Sequence, residues 1–222
     1  MLDIYDICAI KVIMPYRRFP HQKDGIYHIY NRSIANQPVF VNFSNFQRCL
    51  DTINYYRFHK PKMSYSCFSK LTLVNRKRFL EELNILGNKQ VEIYAFCLMP
   101  THFHLLLREV RDNGISDFMR IFQNSYAKYF NKKTGRFGAV FQSMYKSETI
   151  YDNNSIVNVI KYIHNNPKSL NYIRTEKDLK NYLWGSLPDY LNSRKSSFIA
   201  KDSVLASLEG VFEDIAKNKW FY

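Results

Sequence analysis

The sequence lacks the features of a disulfide-stapled, zinc-binding or membrane-spanning protein. Its 222 residues include 4 cysteines, and no two of them have the Cys-x-x-Cys spacing of a zinc ribbon or a redox pair. No run approaches the ~18 apolar residues that a membrane span requires. The segment 2–14 is mildly apolar, but charges interrupt it and no signal-cleavage pattern follows. We therefore expect a cytoplasmic protein, not bound to a membrane, with an ordinary hydrophobic core.

Glycine and proline are also scarce, with 7 of each spread along the chain. No repeat, low-complexity tract or linker-like stretch divides the sequence, so one main domain is the simplest organisation. We predict an N-terminal extension over residues 1–24, a domain over residues 25–191 and a C-terminal extension over residues 192–222.

Acidic residues are few relative to basic ones. The chain has 32 Lys and Arg against 19 Asp and Glu, a net charge of +13, and such an excess attracts polyanions. Aromatic residues make up 16% of the chain, with 17 Tyr and 17 Phe, and aromatic rings beside a basic groove suit stacking on unpaired bases. The composition favours a nucleic-acid partner, although a basic solvated surface around a Phe-rich core would look the same.

Hydrophobic periodicity predicts an α+β fold, an antiparallel sheet covered by helices. Extended structure is expected over residues 25–32, 91–98, 102–108 and 140–150, with a tight turn at Pro100 between the second and third strands. Helices are expected from a cap near Ser44 to before Pro61, and over residues 75–86, 116–131 and 153–166. Trp184 and Trp220 are expected to anchor the C-terminal part of the chain.

The pair His102 and His104 is the first candidate for chemistry. In a strand the side-chain period of two sends both imidazoles to one face and Phe103 to the other. Two neutral nitrogen ligands on a rigid strand can hold one metal ion. The same short pattern also occurs in ordinary interior histidines, so both interpretations stay open.

Tyr162 and Asn166 are the second candidate pair. They are four residues apart on a predicted helix, which places them one above the other, on a flank beside a stripe of isoleucines. An amide oxygen from Asn166 would complete a His, His, Asn ligand set suited to Mg or Mn bound to a phosphate oxygen. Against this, the chain contains 17 tyrosines, and a tyrosine at a helix flank is usually an amphipathic packing residue.

Several segments, in order, resemble the REP-associated tyrosine transposases and related single-tyrosine insertion-sequence transposases of the HUH type. The resemblance runs from about residue 25 to about residue 191. This sequence has Thr101 where the family often has Asn, and Ser143-Met144 where Gly-Arg is common. The matching segments are Tyr27-His-Ile-Tyr-Asn-Arg32, Leu98-Met-Pro-Thr-His-Phe-His-Leu-Leu-Leu107, Asn124-Ser-Tyr-Ala-Lys-Tyr-Phe-Asn131, Val140-Phe-Gln-Ser-Met-Tyr-Lys146, Tyr162-Ile-His-Asn-Asn-Pro167 and Tyr182-Leu-Trp-Gly-Ser-Leu-Pro-Asp-Tyr190.

The resemblance implies a ferredoxin-like (RRM-like) HUH core with extra C-terminal helices. It implies that His102 and His104 bind a divalent metal, Mg or Mn, that Asn166 is the third ligand, and that Tyr162 is the catalytic nucleophile. The expected activity is a DNA transposase that cleaves and rejoins single-stranded DNA hairpins through a 5′-phosphotyrosine, as a monomer or a homodimer. The expected contacts to the DNA backbone are Arg32, Lys128, Lys132, Lys133, Arg136 and Lys146.

Three other interpretations stay open at this point. A catalytically silent, domesticated relative would bind hairpins without cutting them. A rolling-circle initiation nuclease or a relaxase would share the HUH chemistry, but such proteins commonly carry further domains. An amidohydrolase barrel with a His-x-His motif would need a longer chain and further His and Asp ligands. The remaining histidines, His21, His28, His59 and His164, fall in no supporting motif.

Overall fold

The computed structural model describes residues 20–196 and 198–208. Most of the expected N-terminal extension and the end of the expected C-terminal extension, with Trp220, therefore lie outside the described residues. The division at residues 24/25 and 191/192 stays a prediction.

Four antiparallel strands form one sheet in the described part of the chain. They are β1 (Ile26–Arg32), β2 (Val91–Met99), β3 (His102–Glu109) and β4 (Lys146–Ile150), and their order across the sheet is β2-β3-β1-β4. Pro100 and Thr101 form the tight turn between β2 and β3, as predicted. This strand order, with one helical connection before β2 and one before β4, is the ferredoxin-like arrangement. The α+β prediction is confirmed.

The four predicted helices are present in the predicted order, as α1 (Phe43–Tyr56), α3 (Leu73–Ile85), α4 (Gly114–Thr134) and α5 (Asn153–Asn165). The described residues also form four short helices: α2 (Tyr65–Phe68), which was not predicted, and α6 (Glu176–Lys180), α7 (Leu187–Tyr190) and α8 (Lys201–Ser207). The cap of α1 is Asn42, whose side chain accepts a hydrogen bond from Asn45 N, so the cap expected near Ser44 lies earlier in the chain. The Ser44 hydroxyl instead donates to Asn42 Oδ1.

The strand predicted over residues 140–150 is too long, because β4 covers only its second half. Val140 and Phe141 are buried in the core, and this burial gives the segment its strand-like apolar character. Phe141 makes only an isolated bridge with Ser33. Gln142 N still donates to Arg32 O at 2.9 Å, but the Gln142 carbonyl accepts from the Asn31 side chain at 3.2 Å, so the regular backbone pairing stops there.

The two faces of the sheet are covered differently. On one face Ile29, Phe103 and Leu105 pack against α1 and α4 in a core that includes Phe118 and Phe122. On the other face Leu106 and Cys97 pack against the apolar stripe of α5, formed by Ile156, Ile160 and Ile163. Burial of each such side chain stabilises the fold by roughly 1.5–3 kcal/mol. The part of this second face that α5 leaves open carries the polar side chains described below.

The free edge of β2 is covered by the segments that follow α5. Trp184 O accepts from Leu98 N at 2.8 Å, Ser186 N donates to Phe96 O at 2.9 Å, and Ala200 N donates to Ile93 O at 2.9 Å. These bonds occupy groups that would otherwise pair with another chain. Trp184 stacks on Phe46 with ring centroids 4.7 Å apart, as expected of an anchor. Across the described residues, the helices are too short or too polar to cross a lipid bilayer.

Candidate active site

A cleft of about 760 Å³ opens on the second face of the sheet, beside α5. Three strands and the end of α5 contribute the polar side chains that line it. They are His28, Tyr30 and Arg32 from β1, His102 and His104 from β3, Lys146 and Glu148 from β4, and Tyr162 and Asn166 from α5 and the 3₁₀ turn that follows it.

The strand register explains why these residues meet. Tyr30 pairs with His104 on one side, and Arg32 pairs with His102. On its other side β1 pairs His28 with Glu148. Since alternate residues of a strand face the same side and paired residues face the same side as well, one polar patch forms across three strands.

The two predicted metal ligands lie together, with His102 and His104 ring centroids 5.2 Å apart. Burial lowers the pKa of His104 to about 3, helped by repulsion from Arg32 and, when they are protonated, from His28 and His102. Burial and Arg32 also lower the pKa of His102, while a side-chain hydrogen bond with Asn166 raises it. Both imidazoles are therefore neutral near pH 7, the form that binds metals.

Tyr162 reaches the same cleft from α5. Its side chain is 54% exposed, and its ring meets that of His104 edge to face, with centroids 5.5 Å apart. The flank position predicted from the sequence is therefore the observed one, because Ile160 and Ile163 turn into the core and leave Tyr162 outside it. The phenol and the two imidazoles therefore line one cleft.

Asn166 lies at the C-terminal end of α5, one turn beyond Tyr162. Its Nδ2 donates to the Tyr162 carbonyl oxygen at 3.0 Å, and its side chain is near enough to His102 to raise the pKa of that imidazole. The amide is therefore held next to the imidazole pair. In the described part of the chain, no group of three or more His, Cys, Asp or Glu side chains has a metal-binding arrangement. Two imidazole nitrogens and an amide oxygen nevertheless form a donor set that fits a divalent cation carrying a phosphate ligand.

Three residues of the cleft, His28, Tyr30 and Glu148, were missed by sequence reasoning. His28 Nε2 lies 2.9 Å from His104 Nδ1, and His28 Nδ1 lies 3.7 Å from Glu148 Oε2. The Tyr30 hydroxyl donates to Glu148 Oε1 at 2.8 Å. A signal did exist, because the alternation of residues 26–32 places His28, Tyr30 and Arg32 on one face, as the His-x-His pattern does on β3.

The expected DNA-contacting residues fall into two groups. Arg32 and Lys146 line the cleft. Lys128, Lys132 and Lys133 instead line a second pocket of about 780 Å³, formed mainly by α4 with smaller contributions from α1 and α2. Arg136 follows α4 and lies over the Phe130 ring, in neither pocket's lining. The structure thus does not gather the predicted basic residues at one place.

The second pocket is basic and partly aromatic. Its central cation is Arg48, whose guanidinium carbon lies 4.0 Å from the ring centroid of Tyr65 and 5.0 Å from that of Tyr129. A smaller groove of about 500 Å³ shares Gln142 with the cleft, and Arg120 and Asn124 with the second pocket. The groove is therefore a neighbour of both the cleft and the basic pocket on the protein surface.

Known proteins give two kinds of match. The sequence profile of a family described as IS200-like transposases matches residues 51–166, a range that contains His102, His104, Tyr162 and Asn166. A search of curated protein sequences gives no match.

Among solved structures, a REP-associated tyrosine transposase bound to a REP hairpin is 14% identical, with a TM-score of 0.54 over 80% of this chain and 84% of that one. A candidate transposase from Deinococcus radiodurans is 16% identical over 68% of this chain and 95% of that one, with a TM-score of 0.37. At such identities the first likeness concerns the fold alone.

Proposed function

This chain belongs to the family of IS200-like transposases, and on that premise we propose that it cleaves and rejoins single-stranded hairpin DNA through a 5′-phosphotyrosine on Tyr162. The observation that carries the proposal is the placement of Tyr162 over His104 in the cleft, at 5.5 Å between ring centroids. A nucleophile must stand within reach of the groups that stabilise the charge of the phosphate it attacks. Helix α5 supplies that proximity.

The proposed metal ligands are His102, His104 and Asn166. A divalent cation held there, Mg or Mn, would act as a Lewis acid toward a phosphate oxygen. Neutral imidazoles and an amide leave the full charge of the cation available to that phosphate. The described residues contribute further positive charge at the same place, since Arg32 and Lys146 also line the cleft.

The proposed reaction conserves the phosphodiester. The Tyr162 oxygen loses its proton and attacks phosphorus, a new phosphorus–oxygen bond forms, and the bond to the 3′ oxygen breaks in line with the attack. The leaving 3′ oxygen takes up a proton and becomes a free hydroxyl. A second 3′ hydroxyl reverses these steps and joins a new strand. Each step exchanges one phosphate ester for another, so no nucleotide cofactor is needed.

A single-stranded or hairpin substrate is proposed because the flexible backbone of unpaired DNA can follow an irregular surface. Beyond the cleft, Arg48 and Lys128 in the second pocket offer cations for phosphates, with the half-buried Tyr129 ring beside them. Basic side chains set beside aromatic rings suit a nucleic-acid strand. The structurally similar transposase holds a REP hairpin, which supports the choice of a hairpin as the first substrate to test.

The test is formation of a covalent protein–DNA adduct. The protein would be incubated with single-stranded hairpins from the flanks of its own gene, with and without Mg or Mn, and the products separated in SDS. We expect an SDS-resistant, protease-sensitive DNA band that requires the metal and disappears in Tyr162→Phe, while hairpin binding persists. Tyr151→Phe is the matched control, because Tyr151 is 90% exposed and does not line the cleft.

The same assay separates the remaining alternatives. A silent hairpin-binding relative would bind DNA without forming an adduct in any variant. A relaxase-like or rolling-circle nuclease would form the adduct, but would prefer its own nicking site to hairpins from the flanks of this gene. An adduct that persists at wild-type level in Tyr162→Phe would contradict the assignment of the nucleophile.

A further inference from the structure

Three side chains on three neighbouring strands form a chain of contacts that ends at a proposed metal ligand. Glu148 on β4 faces His28 on β1, and His28 in turn contacts His104 on β3. We propose that His28, oriented by Glu148, is a positioning residue that fixes the tautomer of His104, so that the His104 Nε2 lone pair faces the cleft. The role assigned to that lone pair rests on the proposed function, whereas the tautomer itself does not.

The contact between the two imidazoles requires one proton. His28 Nε2 and His104 Nδ1 are 2.9 Å apart, a hydrogen-bond distance, so one nitrogen must donate and the other accept. If His104 Nδ1–H donates, His104 Nε2 keeps its lone pair and can bind a metal. If His28 Nε2–H donates, the His104 proton lies on Nε2 and blocks that nitrogen. The direction of this one hydrogen bond therefore decides whether His104 can be a ligand through Nε2.

Glu148 selects the first direction. Its Oε2 lies 3.7 Å from His28 Nδ1, and a carboxylate next to a neutral imidazole favours the tautomer with the N–H on the near nitrogen. A proton on His28 Nδ1 leaves His28 Nε2 as an acceptor. His28 Nε2 then accepts a hydrogen bond from the Nδ1–H of His104.

Tyr30 holds the carboxylate in place. The Glu148 side chain is 60% exposed and would otherwise be free to turn toward water. The Tyr30 hydroxyl donates to Glu148 Oε1 at 2.8 Å, which leaves Oε2 facing His28. The Tyr30 ring also stacks on His104, with centroids 5.5 Å apart and an interplanar angle of 25°, so one side chain orients both ends of the contact chain.

The alternative role for His28 is that of a third imidazole ligand. In the structure both of its nitrogens face other side chains, Nε2 facing His104 and Nδ1 facing Glu148. The ring is also buried, with 5% of its surface exposed. Binding a metal through His28 would break the contact with His104, so a positioning role fits the geometry better.

The decisive variant is Glu148→Gln, because Glu148 is exposed and its replacement should leave the fold intact. Its amide NH₂ can donate toward His28 Nδ1, which favours the opposite tautomer in both rings. Loss of an outer partner of a metal-ligating histidine typically weakens metal binding by about 10–100-fold, so we expect Mn²⁺ affinity to fall by at least about 10-fold. Glu81→Gln on α3 is the matched control, an equally exposed glutamate far from the cleft.

Two readouts are needed, both without DNA. The ¹⁵N chemical shifts of the histidine rings in the metal-free protein report which nitrogen carries the proton. Titration with Mn²⁺, followed by the paramagnetic resonance signal of the free ion, reports affinity. We expect His104 to carry its proton on Nδ1 in the wild type and in Glu81→Gln, and to shift toward Nε2 in Glu148→Gln, with the urea midpoint unchanged.

The outcomes separate this inference from the proposed function. A wild-type His104 protonated on Nε2, or a Glu148→Gln variant with unchanged tautomer and Mn²⁺ affinity, would overturn the inference. Complete loss of Mn²⁺ binding in His28→Gln, which retains a hydrogen-bond acceptor, would overturn it in favour of direct ligation. If the wild type has the expected tautomer and Glu148→Gln shifts it, but neither binds Mn²⁺, the inference stands and the proposed metal site fails.

Discussion

Ser186 connects the helix that carries Tyr162 to the edge of the sheet, and its removal should be unusually costly for a serine. Its side chain is fully buried. The hydroxyl oxygen lies 2.9 Å from Phe96 N, 3.2 Å from Phe96 O and 2.8 Å from His164 Nε2. His164 belongs to α5, between Tyr162 and Asn166, so this hydroxyl joins the helix to β2.

The expected cost follows from the donors and acceptors around this oxygen. A hydroxyl has one proton and two lone pairs, so it can donate to Phe96 O while it accepts from Phe96 N–H and His164 Nε2–H. Ser186→Ala keeps the backbone and removes the hydroxyl that bonds these three groups. Two buried donors then lose an acceptor, at about 1–2 kcal/mol each, which gives a destabilisation of about 3 kcal/mol.

The measurement is urea unfolding followed by tryptophan fluorescence, with Ser33→Ala as the control. Ser33 is also fully buried, but its hydroxyl donates to the carbonyl oxygen of Gln37, an exposed residue whose carbonyl can bind water instead. We expect Ser33→Ala to cost about 1 kcal/mol. A Ser186→Ala variant that is no less stable than Ser33→Ala would refute the three-way bonding of this hydroxyl.

Three further predictions concern the close approach of backbone, the buried histidine and the basic pocket. Gly114→Ala should destabilise the protein by about 1–3 kcal/mol in urea unfolding, because the new methyl group would clash with the Gln90 carbonyl oxygen. The control is Gly87→Ala, whose methyl group has open space, so that only the strain of a positive φ destabilises the protein. Equal losses of stability in the two variants would contradict the prediction. Burial lowers the pKa of His164 from 6.5 to about 3, so the unfolded chain binds a proton below about pH 6.5 that the folded chain does not. As the pH is lowered from about 6.5 to about 3, this group should therefore reduce the free energy of unfolding by about 1.4 kcal/mol per pH unit. His164→Gln should make the free energy of unfolding, measured in urea at several pH values, depend less steeply on pH. An unchanged dependence would refute the assignment. Arg48→Gln combined with Lys128→Gln should lower the slope of log Kd against log salt for hairpin binding by about 0.7–0.9 for each phosphate that these side chains neutralise in the wild type, while Lys77→Gln on α3 should leave it unchanged; an unaltered slope in the double variant would remove the second pocket from the DNA path.

The sequence was most informative where local geometry decides the outcome. Alternation along one strand was enough to predict that His102 and His104 share a face, and helical periodicity placed Tyr162 and Asn166 on a flank outside the core. These inferences involve residues within four positions of each other. The strand and helix that carry them bend little over that distance, so the local pattern survives folding.

The sequence was least informative where the site depends on contacts between distant segments. His28 meets His104 across 76 positions of chain and Glu148 across 120, through the register of β1 with two different strands. No local pattern encodes that register. For the same reason the sequence could not show that Lys128, Lys132 and Lys133 lie apart from Arg32 and Lys146, on a helix that covers the opposite face of the sheet.

The position of α5 sets the geometry of the candidate site, because one helix presents the proposed nucleophile and the helix end presents the proposed third ligand. Ile156, Ile160 and Ile163 fix its face against the sheet, and His164 fixes its end through Ser186. The imidazoles of His102 and His104 lie on β3, an inner strand of the same sheet that is paired with β2 on one side and β1 on the other. Any shift of α5 therefore moves Tyr162 and Asn166 together relative to His102 and His104, so a loosened Ser186 contact should impair adduct formation even when the fold persists.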